Sequence, residues 1–143
     1  METQLSIKVD LLEKLKHAEI SKVVDQPILI IQAKSPYIPL EAFKEIFETV
    51  GAFVKMHKIN KLIFDKREMS TFHQPSMAWY YTDWKERMIP LGLTKHRKIL
   101  PDDILFRHSV EIGREKIYNK YAGAEFTKLD LKYVESLSEA ISI

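Results

Sequence analysis

Apolar residues recur along this chain with two different periods, and the switches between them mark its elements. The start is divided between the two. Leu5, Ile7 and Val9 alternate as in a strand, whereas Leu11, Leu12 and Leu15 are spaced as in a helical turn. Ile20, Val23 and Val24 predict a strand, Asp25-Gln26-Pro27 a turn, and Ile28 to Ala33 a second strand, so the two should pair as a hairpin. Leu40, Phe43, Ile46, Phe47, Val50, Phe53 and Val54 then follow a helical period, predicting a helix from about Leu40 to His57.

Three further strand-and-helix alternations complete the chain. Lys61 to Asp65 is a short apolar strand ending in an acid. Met77, Tyr80, Tyr81, Trp84 and Met88 mark a helix entered through Gln74-Pro75-Ser76 and stopped near Pro90 and Gly92. Lys98 to Pro101 reads as a strand. Pro101-Asp102-Asp103 starts a helix continued by Ile104, Leu105, His108, Ile112, Ile117 and Tyr121, with the acids at its positive end. Gly123 ends it, Ala124 to Leu129 reads as a last strand, and Leu131, Val134, Leu137 and Ile141 line a final amphipathic helix. Alternation of this kind predicts an α/β domain with a mostly parallel sheet and right-handed crossovers, made mixed by the initial hairpin. The expected sheet has four or five strands covered by about four helices. No linker or repeat divides it, so residues 1–143 form a single domain, with 1–17 as an N-terminal extension of undecided structure.

Composition narrows the chemistry. The chain has 143 residues, 45% of them hydrophobic and 29% charged, an ordinary globular mixture long enough to bury a core without metal or disulfide staples. With no Cys, thiolate metal sites, disulfides and Cys nucleophiles are excluded. A net charge of +2, from 22 basic and 20 acidic residues, gives no reason to expect nucleic acid. The longest apolar run, Ile28 to Ile31, is far below the ~20 residues of a membrane helix, and Met1 to Gln4 opens no targeting segment. The expectation is a cytoplasmic protein with no integral membrane segment.

The element order, together with Lys61 to Arg67, Trp79 to Pro90, Lys98 to Asp103 and Phe126 to Ile141, resembles the STAS fold of sulfate transporters and anti-sigma factor antagonists. More narrowly, it is similar to small bacterial proteins of uncharacterised function built on that fold, over about Ala18 to Ile143. In the antagonists, a Ser or Thr in an Asp-Ser-Ser-Gly-like motif after the central strand is phosphorylated and controls partner binding. The corresponding stretch here, Asp65 to Ser76, lacks that motif but offers Ser70, Thr71 and Ser76.

That same loop is the first candidate site, because ligands gather at the carboxyl ends of parallel strands. Lys66 and Arg67 there suit a phosphate, and His73 stands beside them; the competing account has Ser76 or Ser70 capping a helix and the basic pair solvated. Trp79, Tyr80, Tyr81 and Trp84 cannot all face one core at helical spacing: Tyr80, Tyr81 and Trp84 can share a face, from which Trp79 points away. Either Trp79 and Trp84 form part of a contact surface for a partner or ligand, or Trp79 folds against a neighbouring loop. His17, His57, His73, His96 and His108 have no ligand spacing, so no metal site is expected, and His108 reads as a core residue. No Gly-rich loop, nucleophile motif or paired carboxylates point to catalysis. Lys95-His96-Arg97-Lys98 reads as a solvated basic edge. The combined expectation is a non-enzymatic regulatory or binding module without a cofactor. It would engage a protein partner, or a small apolar or anionic ligand, through Asp65, Lys66, Arg67, Ser70, Thr71, His73, Ser76, Trp79 and Trp84. A lipid or hydrophobic-ligand carrier is the alternative, and a homodimer fits either.

Overall fold

Strand β3 (Ile28–Ala33) and strand β4 (Lys61–Asp65) are buried on both faces, and this fixes them at the centre of the sheet. The computed structural model describes residues 7–143. Around that pair lie β1 (Val9–Lys14), β2 (Ala18–Val23), β5 (Lys95–Ile99) and β6 (Asp130–Tyr133), giving six strands in the order β1-β2-β3-β4-β5-β6. The first three run antiparallel and the last four parallel, so the sheet is mixed.

The expected hairpin is present: Ala18 pairs with Ala33 and Lys22 with Leu29, across a turn in which Asp25 takes a left-handed backbone (φ 64°). The sheet exceeds the expected four or five strands because of β1, and its last strand is displaced along the chain. Leu11 and Leu12 belong to β1, which pairs with β2 on an exposed edge rather than forming a helical turn; Leu5 lies outside the described residues. The segment read as a last strand, Ala124 to Leu129, is instead largely a 3-10 turn (Glu125–Lys128), and the strand follows it as β6. Its four residues alternate too briefly for a strand period to show.

Helices α1 (Leu40–His57), α2 (Gln74–Trp79) and α4 (Ile104–Lys120) cross over one face of the sheet, where Leu29, Ile31, Leu62 and Phe64 meet Phe43, Phe47, Val50, Trp84 and Phe106. A π-helical turn (Tyr80–Lys85) and a short α3 (Glu86–Met88) continue α2 without a break. Asp103 caps α4 by accepting from the amides of Leu105 and Phe106 at 3.0 and 3.2 Å, as its position before an apolar run predicts. The inward stripe of α4 is Phe106, Val110, Gly113 and Ile117, which shares only Ile117 with the expected one. Ile104 and Leu105 are exposed, and so is His108, which is therefore no core residue.

The opposite face carries a smaller core of Ile28, Ile30, Ile63, Ile99 and Val134 under α5 (Leu137–Ser142). Leu131 and Val134, expected in that helix, precede it. Two basic side chains anchor α5 by its C-terminal carbonyls. Lys61 Nζ donates to Ala140 O at 3.0 Å and Ile141 O at 2.8 Å, and Arg97 donates to Ile143 O at 2.7 Å.

The aromatic run divides as its helical spacing allows, with Tyr80, Tyr81 and Trp84 on one face and Trp79 off it, but that shared face is turned to the core. Tyr80, Tyr81 and Trp84 are fully buried, and the indole N–H of Trp84 donates to Phe47 O at 2.6 Å. Trp79 is half-buried, edge-on to Phe43 with ring centroids 6.2 Å apart. Trp84 is thus a core residue and not a contact surface. Trp84→Ala should cost about 3–5 kcal/mol of stability in urea unfolding, and Trp79→Ala clearly less; equal losses would refute this division of roles.

Candidate functional site

Basic residues placed on the helix-covered face of a sheet must give up their water, and here three lysines do so. β5 alternates His96 and Lys98 toward that face, while Arg97 points to the α5 side. Register puts Lys98 between Phe64 of β4 and Tyr133 of β6. Lys66 follows β4 directly, its amide donating to Ile99 O at 2.8 Å. Lys85 comes from above, out of the π-helical turn. Tyr80, Tyr81, Trp84 and Lys85 share one side of that turn, and all four are buried.

The three amines lie among rings rather than carboxylates. Lys98 Nζ is 2.9 Å from Tyr81 Oη and sits 4.9 Å from the centre of the Tyr80 ring. Lys85 Nζ sits 3.8 Å over Tyr81, and Lys66 Nζ 4.9 Å over Phe64. No described carboxylate lies within ion-pair distance of any of them, and Lys85 Nζ, Tyr80 Oη and both ring nitrogens of His96 are buried without hydrogen-bond partners among the described residues. Ring faces return part of an ammonium's lost hydration, but only part. Burial pulls Lys66 down to about 8, and it pulls Lys98 and Lys85 well below the ordinary lysine value, aided by their mutual repulsion and by Arg114. Burial likewise holds His96 neutral well below the usual range and pushes the Tyr80 and Tyr81 hydroxyls up.

Lys66, Lys98 and Tyr80 line a narrow cavity of about 30 Å³ with His73, Ser76 and Phe106. It opens between the carboxyl ends of β4 and β5 and the roof made by α2 and α4. The roof is close: at Gly113 a Cβ would collide with the Gln74 side chain and meet Phe72 at 2.9 Å. Such a volume holds one water or a small anion and no acyl chain, so the cavity does not provide the space a lipid carrier needs.

No family model, curated protein or solved structure matches this chain.

Of the nine residues picked from the sequence, the structure brings Lys66, His73 and Ser76 together. Ser76 caps nothing; it is buried, its Oγ 2.8 Å from His73 Nδ1. Arg67 forks onto Asp65 at 2.9 and 2.7 Å. Burial opposes the Asp65 charge, but those bonds outweigh it and hold the carboxyl below its usual value, so Arg67 is engaged rather than awaiting a phosphate. Ser70 and Thr71 are exposed, their amides bonded to Pro36 O. Trp79 and Trp84 lie away from the cavity. Exposed apolar surface is found instead at the first turn of α4, on Ile104 and Leu105. Sequence reasoning missed Lys85, Lys98 and Tyr80. The basic run Lys95 to Lys98, expected as a solvated edge, is strand β5 itself, and only Lys95 of it is exposed. Among the described residues no group of His, Asp or Glu is placed to hold a metal.

This arrangement makes stability depend on pH in an alkaline direction. A lysine whose folded pKa is lowered binds its proton more weakly than in the unfolded chain, so stability rises with pH up to the unfolded value near 10.5. Lys66 alone contributes about 2 kcal/mol between pH 8 and 10. Above about 10 the trend reverses as Tyr80 and Tyr81 ionise in the unfolded chain, and below about 6.5 His96 adds a further loss. Urea unfolding from pH 6 to 11 should peak near pH 10, with the alkaline slope reduced in Lys66→Met. A maximum near pH 7 would contradict neutral buried amines.

Proposed function

We propose that this protein is a non-enzymatic binding module whose ligand is a small anion held at the cavity between β4, β5, α2 and α4. One observation carries the reading: Lys66, Lys85 and Lys98 are at least nine-tenths buried with no carboxylate beside them. Buried charges are paired in stable proteins, because an unpaired one forgoes its hydration without recompense. An anion entering the cavity supplies the missing countercharge to Lys66 and Lys98, the two of these amines that line it, and the Tyr80 hydroxyl and Ser76 supply hydrogen-bond donors. The class of ligand is a compact carboxylate or an inorganic oxyanion, since the space admits little more than one water.

Position supports the same reading. The site lies at the carboxyl ends of adjacent parallel strands, where loops and helix starts converge in open α/β sheets. The antiparallel hairpin followed by crossovers on one face also supports the STAS-like resemblance, and in that frame the exposed Ser70 and Thr71 are the hydroxyls a kinase reaches. Regulation then takes the form of differential binding: an occupied cavity fixes the segment from Lys66 to Ser76 against α4, and a partner reads that segment's surface.

Binding is coupled to protons. An anion raises the pKa of the amines it meets, so each ligand arrives with proton uptake, and affinity falls as pH rises. Formate or nitrate, titrated by isothermal calorimetry, should bind with a dissociation constant that increases up to tenfold per pH unit between pH 8 and 10. Lys66→Met should weaken binding at least tenfold with the fold intact by circular dichroism. Saturable binding that ignores both pH and Lys66 would overturn the proposal, as would failure of every small anion to bind.

A further inference from the structure

Two amines that share one cavity with room for a single triatomic molecule have a chemistry beyond simple ion binding. We propose that Lys66 is a carbamylation site, taking up carbon dioxide as a carbamate whose charge is balanced by Lys98. This inference rests on the anion-site reading of the cavity, and it names the ligand as one formed in place.

The atoms and charges balance with groups on the page. The lone pair of the Lys66 amine attacks the carbon of carbon dioxide, and the new N–C bond forms as one C=O π pair moves onto oxygen. The nitrogen then loses a proton to the Lys98 amine. The products are a Lys66 carbamate anion and a Lys98 ammonium facing it across the same cavity. No oxidant, metal or leaving group is needed. The Lys98 ammonium keeps Tyr81 Oη as an acceptor at 2.9 Å and gains the carbamate as a second. The Tyr80 hydroxyl, otherwise without a partner, supplies a donor to the new oxygens.

Three physical features favour this site over the other lysines. Carbamylation needs a neutral amine, and an exposed lysine offers only about one in 300 at pH 8. Lys66, brought down to about 8 by burial, is half neutral there. The reaction also creates opposite charges together, so neither is ever left uncompensated in the low-dielectric interior. Finally, carbon dioxide is uncharged and small, and it passes apolar packing such as Met69, Phe72 and Phe106 without the dehydration that an entering anion must undergo.

The test supplies ¹³C-bicarbonate, in equilibrium with dissolved carbon dioxide, to the full chain at pH 8–8.5. The carbamate carbon is read by ¹³C NMR, and the site is located by alkylative trapping with triethyloxonium followed by peptide mass spectrometry. The expected result is one carbamate per chain, on Lys66, absent in Lys66→Met. In Lys98→Met, half-saturation should require at least tenfold more bicarbonate. Circular dichroism on both variants separates loss of the site from loss of the fold. Thermal stabilisation by formate is measured in parallel. Formate stabilisation without any carbamate overturns this inference and leaves the anion site standing, whereas loss of both overturns the two together. A carbamate that survives Lys66→Met, or that is trapped only on exposed lysines, overturns it as well.

Discussion

The most constraining interaction in this protein is the burial of three lysine amines beneath the helices, with aromatic rings in place of carboxylates. It dictates much of what surrounds it. The π-helical turn carries Tyr80, Tyr81, Trp84 and Lys85, all of them buried. Those rings in turn need the Phe43, Phe47 and Phe64 cluster to hold them, with Tyr80 and Trp84 stacked at 5.4 Å and Phe47 4.7 Å from Tyr80. The tight seat of α4 at Gly113 closes the roof. Remove the amines, and none of these features has an obvious purpose beyond packing.

The two faces of the sheet solve the same problem in different ways. On the α5 side, Lys61 and Arg97 are as buried as their counterparts but bonded at their charged ends, with only Arg97 Nε left without a partner among the described residues: backbone carbonyls of α5 accept from both, and Asp130 pairs Arg97 at 3.1 Å. Those cations act structurally, fastening a six-residue helix that is too short to be stable alone. On the other face the amines are met by π-faces and one phenol oxygen. A structural role accounts for the first pair and not for the second set. Departures from polar satisfaction of this sort collect where a protein binds or reacts.

The cost of the arrangement is borne by the rest of the core. Leu29, Ile31, Phe47, Val50, Val54 and Leu62 are almost completely excluded from water, and β3 and β4 are buried on both faces. Large apolar burial of this kind offsets the partly compensated desolvation of the lysines. It also keeps the cavity stiff, because a packed interior does not collapse to fill a small polar space.

Periodicity alone determined most of the fold. The bounds of α1 and β4, the β2–β3 hairpin, the cap at Asp103 and the stop at Gly92 all follow from residues acting on their near neighbours. Helical stripes, turn formers and backbone conformation are local properties, so they are visible in order along the chain. The candidate site was only half legible for the converse reason. Lys66, His73 and Ser76 lie close together in the chain and could be picked together, but Lys98 reaches the cavity from a strand that only the folded sheet brings near, and Lys85 is buried beside Tyr81 from a helical turn above it. A basic run reads as solvated when judged by its own composition, whereas β5 lies between two parallel strands and under a helix, and its environment is set by partners over 30 residues away, such as Asp65, paired with Ile99, and Tyr133, paired with Lys98. Which lysine is wet and which is dry was decided by tertiary structure, because hydration is lost to distant segments and not to sequence neighbours.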